Sequence, residues 1–593
     1  MRPMPCHPSI LPVGLIIGLF APTVLSACGS TQSASQFPSN EELQRLAGRP
    51  AASHPQQGDL ADVEEWELAG PLPDQVSDQA APSDGPWNGL LGELAKRRPG
   101  LLMASNSANC TARELGVFFA AKRARMAESL QRFITARCGM TGAPQLSHGY
   151  RYQEIGGEAD EQKLFAAWGP VLKDELQKAV GSSMGPHLMG IWFGRREGIA
   201  LASSVVVPRQ VRVDPIAMVP NGEGQLVVRG EVLNRAERIE ALVNRGAYSF
   251  KRCEVDPKVA MPQFSLRCEV DRADTSTNVQ IAAFEPGRVL GHTILSLVVW
   301  PKGELGNRYR RPSLAEKAAG NAGTVQLSGD MAADLVTLVG GVRAQAGMKA
   351  LRFSAPQSQT TRRLAPHYFA AITGLESETV ADQVVLGLRA GWEVGAPLRT
   401  GQFTYGNAEG GFSAARLLSE VLDIPSGREA LLDPEADHLA VGVIGRPAQG
   451  FVGALFGTYA TFELGDPRSH AEKVRGRLDS LRAQKGMARA ETLPNVEADL
   501  SAVVRQVSSG ELKADQGLSR ALSVAASRTQ TEVRAHYVDA VDLDQLTIPD
   551  ELLSMRSLRV AIAVGQHQPK GDPWRRYIVY FVIVGQTDVV ASR

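Results

Sequence analysis

Apolar residues recur with two different periodicities along this chain, and the periodicity changes several times. Apolar residues recur at helical spacing in 114–135, 164–180, 332–345 and 413–422. Alternating or continuous apolar runs, which are typical of strands, occupy 187–207, 225–232, 278–284, 293–300, 439–444, 454–463, 558–564 and 577–584. Helical stretches precede strands twice, a further pair of strands closes the chain, and one long stretch carries strands alone, so we predict repeated α/β units and one all-β unit.

A chain of 593 residues is too long for one hydrophobic core, and changes in hydrophobic periodicity and composition divide it into six parts. The predicted parts are a signal peptide (1–27), a disordered tether rich in Ser, Gln, Pro, Ala and Asp (28–85), an α/β unit (86–208), an immunoglobulin-like β-sandwich (209–302), a second α/β unit (322–466) and a third (467–593). We call the four folded parts the first, second, third and fourth units.

A short repeat links the third and fourth units. The segment Val342–Met348 matches Leu481–Met487, and both contain Arg-Ala-Gln followed by Gly-Met. A helix that ends at glycine is capped well, so we predict a helix C-terminus at both places.

The N-terminus carries an export signal. The apolar run Ile10–Phe20 is followed by Leu25-Ser26-Ala27 and then Cys28. This pattern resembles a bacterial lipobox, which implies acylation of the Cys28 thiol and cleavage just before it. The alternatives are an ordinary signal peptide with a cysteine near its end, or a short membrane helix, although the run is shorter than the roughly 20 apolar residues of a membrane span.

Four cysteines follow in the exported part: Cys110, Cys138, Cys253 and Cys268. An even number in an oxidising compartment predicts disulfides, and proximity along the chain favours Cys110–Cys138 and Cys253–Cys268. The second pair lies in twin segments, Arg-Cys-Glu-Val-Asp, that suit paired strands. A zinc site is the competing interpretation, but no Cys-x-x-Cys or paired histidine accompanies these thiols.

The overall charge is balanced, with 63 Lys and Arg against 63 Asp and Glu. No basic block is interleaved with aromatic residues, which disfavours a nucleic-acid partner. The chain also predicts no cofactor and no metal.

Part of the third unit resembles a known family. The residues are Tyr405–Val421, which contain Gly-Asn-Ala-Glu, then Leu431-Leu432-Asp433-Pro434 and the strand Leu439–Val443. This order is similar to the CAP superfamily of cysteine-rich secretory, antigen 5 and pathogenesis-related 1 proteins, whose module is the SCP domain. The resemblance implies an α-β-α sandwich. It covers the third unit well, the fourth weakly and the first only in the order of its elements.

The departures from the family pattern bear on function. CAP sites use two histidines and two glutamates that face a shared cleft, in some members around a metal. Gly406 stands where the family has the Glu of Gly-Glu-Asn, and Gly427 stands where it has the His of Ser-Pro-x-His. Since glycine can neither bind a metal nor transfer a proton, the resemblance implies a degenerate domain with a vacated site.

Three residues could serve an altered site: His367, Glu409 and His438. The simpler interpretation of His438, as of His187, is a histidine at a strand end that hydrogen-bonds to the backbone. Gly181–Gly185 matches Gly-x-Ser-x-Gly but lacks the strand-to-helix elbow of hydrolases. Trp574-Arg575-Arg576 is predicted to be a solvated turn.

Two hypotheses follow for a protein of the bacterial cell envelope that is anchored to a membrane by lipid. The first is a binding protein without catalytic residues that recognises an envelope protein, a polysaccharide or a lipid. The alternative is a CAP-type peptidase or other hydrolase with an altered site.

Overall fold

The computed structural model describes residues 37–52, 60–61, 63–82, 84–142, 146–155, 160–181, 185–286, 291–321, 328–409, 413–446, 451–462, 467–529, 531–569 and 572–585. Among these residues, no helix combines the length and the apolar character needed to cross a membrane. Cys28 and the signal peptide lie outside the described residues.

The N-terminal segment packs on the folded units as far as it is described. Its elements are α1 (Asn40–Ala47), β1 (Leu60–Ala61), β2 (Glu65–Glu67) and β3 (Gln75–Val76). Helix α1 begins with a capping box between Ser39 and Glu42, and it buries Leu43 and Leu46 against the third unit. The predicted tether therefore does not extend over 37–52 or 63–82. Its few apolar residues stand at the spacing that one helix face and three short strands need.

In the first unit the described elements are α2 (Gly85–Arg97), β4 (Leu102–Ala104), α3 (Asn106–Lys122), β5 (Arg125–Met126), α4 (Glu128–Arg137), β6 (Ser147–Glu154), α5 (Glu161–Val180), β7 (His187–Arg196) and β8 (Ile199–Pro208). The continuous helix expected over 114–135 is two helices instead, because Arg123 adopts a left-handed conformation with φ of 53° and ends α3. The predicted hairpin is confirmed, with β7 paired antiparallel to β8.

The second unit contains strands only: β9 (Val211–Val213), β10 (Ile216–Ala217), β11 (Gln225–Val232), β12 (Arg238–Arg245), β13 (Ser249–Arg252), β14 (Glu254–Val255), β15 (Gln263–Glu269), β16 (Thr277–Phe284) and β17 (His292–Val299). They form two antiparallel sheets, ordered β14-β15-β11-β9 and β13-β12-β16-β17. The two sheets enclose one hydrophobic core that includes the Cys253–Cys268 disulfide.

Strand β18 (Arg308–Arg310) and helix α6 (Leu314–Asn321) lead into the third unit. Its elements are α7 (Met331–Gln345), β19 (Arg352–Phe353), α8 (Ala355–Ile372), α9 (Glu378–Ala390), β20 (Leu398–Glu409), α10 (Ala414–Asp423), α11 (Pro425–Leu431), β21 (His438–Arg446) and β22 (Phe451–Thr461).

The fourth unit contains α12 (Pro467–Gln484), β23 (Glu491–Thr492), α13 (Pro494–Ser508), α14 (Ala514–Thr529), β24 (Val533–Ala540), a 3₁₀ turn (Leu543–Gln545), α15 (Asp550–Ser554), β25 (Arg559–His567) and β26 (Arg576–Val584).

The three α/β units share one sheet topology. Their sheets run β4-β7-β8-β6, β19-β21-β22-β20 and β23-β25-β26-β24. In each sheet the short edge strand comes first along the chain and pairs parallel with its neighbour, which is β7, β21 or β25. The remaining pairs are antiparallel. The protein is therefore a mixed α/β chain with one four-stranded arrangement used three times.

The Arg-Ala-Gln repeat has a role beyond ending a helix. Arg343 is fully buried, and its guanidinium donates to the carbonyls of Lys349, Leu431 and Asp433 at 2.9 Å and of Ala436 at 3.4 Å. In the fourth unit, Arg482 is equally buried and donates to the carbonyls of Ala488, of Leu552 in helix α15 and of Met555 directly after that helix. Each arginine thus connects the C-terminus of its helix to the segment that precedes the next long strand, β21 in the third unit and β25 in the fourth.

The predicted solvated turn at Trp574 is wrong. Trp574 is buried in the junction of the third and fourth units, where its indole donates to the carbonyl of Arg389 at 2.9 Å. Its ring meets Phe37 edge to face at 5.5 Å. A turn that carries a tryptophan offers a large apolar surface, and here a neighbouring unit covers it.

Candidate functional site

The two glycines at which the resemblance implied missing site residues both lie against helix α10. A Cβ atom on Gly406, which is in β20, would lie 2.4 Å from Val421 Cγ2. A Cβ atom on Gly427, which is in α11, would lie 2.0 Å from the carbonyl oxygen of Val421. Real Cβ atoms essentially never approach so closely. A side chain at Gly427 would therefore have to displace the backbone of helix α10, whereas one at Gly406 would have to displace the Val421 side chain.

Helices α10 and α11 are in turn covered by the other units. Every residue from Ala414 to Leu422 is buried. From the second unit, the amide of Asn278 donates to the Asp423 carboxylate at 3.0 Å. From the third unit, the Arg428 guanidinium donates to two carbonyls of the second unit, those of Gly246 at 2.8 Å and Ser249 at 3.0 Å. The segment with the CAP-like motif is therefore an interface between units.

The first unit reaches the same helix through α4. Ser129 donates to Glu420 at 2.8 Å and lies 2.7 Å from the Tyr309 hydroxyl. Arg132 lies 3.4 Å from the other Glu420 oxygen and 3.9 Å from Asp423. These side chains form a buried polar cluster that joins the first and third units.

A cavity of about 210 Å³ lies beside this cluster, between the first and third units. Its wall mixes apolar, aromatic and charged side chains: Leu60, Leu115, Arg125, Met126, Ala127, Glu128, Gln131, Arg132, His148, Tyr150, Tyr405, Gly406, Asn407, Glu420, Val421 and Ile424. The cavity is smaller than the roughly 300–1,000 Å³ of most ligand sites, so it suits at most a small occupant.

Burial controls the ionisation of the polar cluster. It raises the pKa of Glu420 to about 6, against the opposing pull of Arg132 and Ser129, and it also raises the pKa of Asp423. Burial alone would lower the pKa of Arg132, but the carboxylates of Glu128, Glu420 and Asp423 raise it above its ordinary value. Burial raises the pKa of Tyr405 to about 12.

The Glu420 carboxyl is expected to make stability depend on pH. Because its pKa in the folded protein lies above the ordinary 4.5, its contribution is fully present below pH 4.5 and is lost as pH rises through about 6. The loss amounts to about 2 kcal/mol. In Glu420→Gln this pH dependence should disappear, which urea unfolding at pH 4.5 and at neutral pH would measure.

The matched control is Glu154→Gln, which removes an exposed carboxylate at the end of β6 and should leave the wild-type pH dependence in place. If the free energies of unfolding of wild type and Glu420→Gln change by the same amount between the two pH values, the assignment of this pH dependence to Glu420 is wrong.

The candidate His367 holds the N-terminal segment. It lies in α8 and is 1% exposed. Its Nδ1 is 3.1 Å from both Glu376 oxygens, and its Nε2 is 3.2 Å from the carbonyl of Arg49. Glu376 also accepts from the backbone N–H of Ala52 at 3.2 Å. Both ring nitrogens of His367 are thus engaged in packing the segment 49–52 on the third unit.

The other candidates lie at strand ends. His438 opens β21, and its Nδ1 contacts the carboxylate of the preceding Asp437 at 2.7 Å. His187 opens β7 at the matching position, and its Nδ1 contacts the carbonyl of Gly185 at 2.9 Å. Glu409 ends β20 opposite Phe451, and its side chain lies outside the described part of the chain. Among the described contacts, no hydrogen bond joins His367 to His438.

Both predicted disulfides are confirmed, Cys110–Cys138 and Cys253–Cys268. The second crosses a strand pair, as the twin segments indicated, because β14 runs antiparallel to β15. Within the described residues, no three His, Cys, Asp or Glu side chains converge as metal ligands would. Ser182, Ser183 and Met184 of the Gly-x-Ser-x-Gly match lie outside the described residues, and Gly181 ends α5.

Sequence reasoning missed the residues that connect the units, namely Ser129, Arg132, Glu420 and Arg428. One signal for them exists in the sequence of α10, where Arg416, Ser419 and Glu420 lie among apolar residues. Their burial reflects packing on several sides, which amphipathic periodicity in one helix does not predict.

Neither a protein-family model nor a curated protein matches this chain. It is similar to the crystal structure of a cysteine-rich secretory protein from Staphylococcus aureus subsp. aureus Mu50, with 9% identity and a TM-score of 0.16, over 42% of this chain and 84% of that one. It is also similar to an extracellular protein containing a SCP domain from Bacillus anthracis str. Ames, with 13% identity and a TM-score of 0.17, over 52% of this chain and 94% of that one. Scores this low carry no weight for function, and the CAP resemblance depends on the motif in the third unit.

Proposed function

We propose that this chain is an exported, lipid-anchored binding protein of the bacterial cell envelope, built from CAP-like units that have lost their acid–base residues. The observation that carries the proposal is the packing at Gly406 and Gly427, where an added Cβ atom would meet the side chain and the carbonyl oxygen, respectively, of Val421 in helix α10. Glycines at these two positions supply no acid–base group, and the same helix α10 instead joins three units.

Two further features support export and anchoring. The two disulfides suit an oxidising compartment outside the cytoplasm. Cys28 follows Leu-Ser-Ala, where a lipobox would place the acylated residue. An acyl chain contributes about 0.8 kcal/mol per buried methylene, so several chains on one cysteine would hold the protein firmly on a bilayer.

The hydrolase alternative gains no support from the candidate residues. His367 is enclosed by Glu376 and the Arg49 carbonyl, and His438 contacts its own neighbour Asp437. No described contact places these groups around a shared cleft, which acid–base catalysis requires.

Anchoring predicts a clear effect for Cys28→Ser. The wild-type protein should sediment with membranes and carry acyl groups on the mature N-terminal cysteine, whereas the variant should move to the soluble extract. Fractionation and mass spectrometry of the N-terminal peptide measure both. The control is Cys6→Ser, which changes a cysteine within the predicted signal peptide and should leave fractionation unchanged.

The binding role is tested with the soluble Cys28→Ser protein. It should co-sediment with purified envelopes from the same cells and leave peptide and cell-wall substrates intact. An unacylated wild-type N-terminus would overturn the anchor. Turnover of either substrate that is lost in His367→Gln or His438→Gln would overturn the binding role in favour of a hydrolase.

A further inference from the structure

A second concave site lies on the first unit, separate from the cavity beside Glu420. It is a groove of about 590 Å³, formed by the segment 71–79, the first turns of α2 and α3, and the part of β7 from Ile191 to Phe193. The Cys110–Cys138 disulfide also lines it and ties α3 to the end of α4. Its volume falls within the usual range of small-molecule sites.

Carboxamides dominate the polar lining of this groove. Five of them face it: Gln75, Gln79, Asn88, Asn106 and Asn109. Each amide offers both a donor and an acceptor, which is the combination that pairs with hydroxyl groups. Five in one groove therefore suit a ligand rich in hydroxyls.

Two of these amides are held in fixed orientations. Asn109 accepts from the backbone N–H of Ile191 at 2.9 Å and donates to Asn88 at 3.1 Å. Asn88 in turn donates to the carbonyl of Asp84 at 3.1 Å. A chain of amides set in advance reduces the entropy lost when a ligand binds.

The other three amides are open to a ligand. Within the described residues, the side chains of Gln75, Gln79 and Asn106 make no hydrogen bond, and Gln79 and Asn106 are exposed. Their donors and acceptors are therefore available at the mouth of the groove.

Aromatic rings form the remaining wall. Trp87 stacks on Phe193, with ring centroids 5.3 Å apart and planes 12° apart. Trp192 is half-buried and rests over Gly116 and Gly194, where a Cβ would lie 2.9 Å and 2.1 Å from its ring. The absence of side chains at both glycines gives the indole room to pack against α3 and β7, so its position is fixed. Because Trp192 also lines the groove beside the amides, its ring can take the apolar C–H face of a sugar while the amides take its hydroxyls.

The charges in the groove argue against an ionic ligand. Arg113 donates to Glu114 at 2.7 Å and to the carbonyl of Pro71 at 2.8 Å, so its guanidinium is already engaged. Glu161 accepts the indole N–H of Trp87 at 3.0 Å, and Asp84 adds a second carboxylate at the rim. A polyanion would meet two carboxylates and one occupied cation, which disfavours it.

We propose that this groove binds a neutral oligosaccharide, with Trp192 as the stacking surface and the five carboxamides as hydroxyl partners. The inference rests on the proposed binding function and names its ligand class. It involves no cleavage.

The test uses the full-length Cys28→Ser protein and isothermal titration calorimetry with four neutral hexasaccharides: cellohexaose, laminarihexaose, maltohexaose and chitohexaose. At least one should bind. Asn106→Ala and Gln79→Ala, both at exposed positions, should each weaken that binding about fivefold or more, the effect of one lost hydrogen bond. Trp192→Ala should abolish it.

The control variants are Gln153→Ala, an exposed amide on β6, and Trp168→Ala, a half-buried tryptophan on α5, both outside the groove lining. Both should bind as wild type does. Circular dichroism melting checks that Trp192→Ala folds, and the two exposed variants decide the outcome if it does not.

Binding of no hexasaccharide, binding of heparin in their place, or binding that the groove variants leave unchanged would each overturn the inference. Envelope co-sedimentation separates this failure from that of the proposed function. Retained co-sedimentation without hexasaccharide binding refutes the glycan groove alone, and loss of both refutes the binding role as well.

Discussion

Replacing Gly427 with histidine, the residue that the CAP pattern has at this position, is expected to disrupt the third unit. The new Cβ would lie 2.0 Å from the Val421 carbonyl oxygen and 2.9 Å from its carbonyl carbon. Both are backbone atoms of helix α10, so no side-chain rotation relieves the clash. We expect a loss of about 3 kcal/mol or more in the free energy of unfolding, at or above the upper end of the usual range for overpacking, because backbone atoms must move.

The effect should reach beyond the third unit. Helix α10 carries Glu420 and Asp423, which bind Ser129 and Arg132 of the first unit and Asn278 of the second. A displaced α10 would weaken these contacts, so proteolysis should cut between units as well as within the third.

The matched control is Gly341→Ala in helix α7, where a Cβ would meet no atom within 4 Å. Removing a helical glycine there should stabilise the protein by about 0.5–1 kcal/mol. Thermal and urea unfolding measure both variants. A Gly427→His protein that unfolds like wild type and gains acid–base activity would show that the cleft is open after all.

Replacing Arg343 with methionine is expected to cost about 3–5 kcal/mol as well, for an electrostatic reason rather than a steric one. The guanidinium is fully buried and satisfies four carbonyls. Methionine fills similar volume but donates nothing, so those oxygens would stay buried without a partner. Arg343→Lys should rescue little, because an ammonium on a flexible chain cannot span four fixed acceptors.

The repeat provides a second measurement. Arg482→Met should destabilise the fourth unit in the same way, and the two losses should add because they lie in separate units. Arg352→Met, at an exposed position in β19, is the control and should change stability by less than about 0.5 kcal/mol. If Arg343→Met unfolds with the same denaturant midpoint as the wild-type protein, the role assigned to Arg343 is wrong.

Local features of the chain were predictable from sequence. Both cysteine pairs follow from short separations along the chain, and Cys253–Cys268 also from its twin segments; the hairpin at 187–207 follows from two apolar runs around a glycine-rich turn. The helix C-termini at Gly347 and Gly486 follow from the need for a left-handed residue, and both glycines have positive φ. In each case the signal lies within a few residues of the structure that it produces.

Contacts between units were not predictable in this way. Ser129 and Glu420 are 291 positions apart, and no local pattern relates them. The burial of Trp574 depends on Phe37 and Arg389, which belong to distant segments. Arg343 lies near a helix C-terminus, where an exposed basic residue would also interact favourably with the helix dipole. The sequence therefore does not indicate that Arg343 is buried, because its burial depends on a segment about 90 residues further along the chain.

The N-terminal segment determines where mechanical load would enter an anchored molecule. Phe37 contacts Trp574 at the junction of the third and fourth units, and α1 packs on α8 and α9. In a protein anchored at Cys28, as we propose, tension from the bilayer would therefore reach the third and fourth units, through α1 and Phe37, before it reached the segment 71–79 that lines the groove.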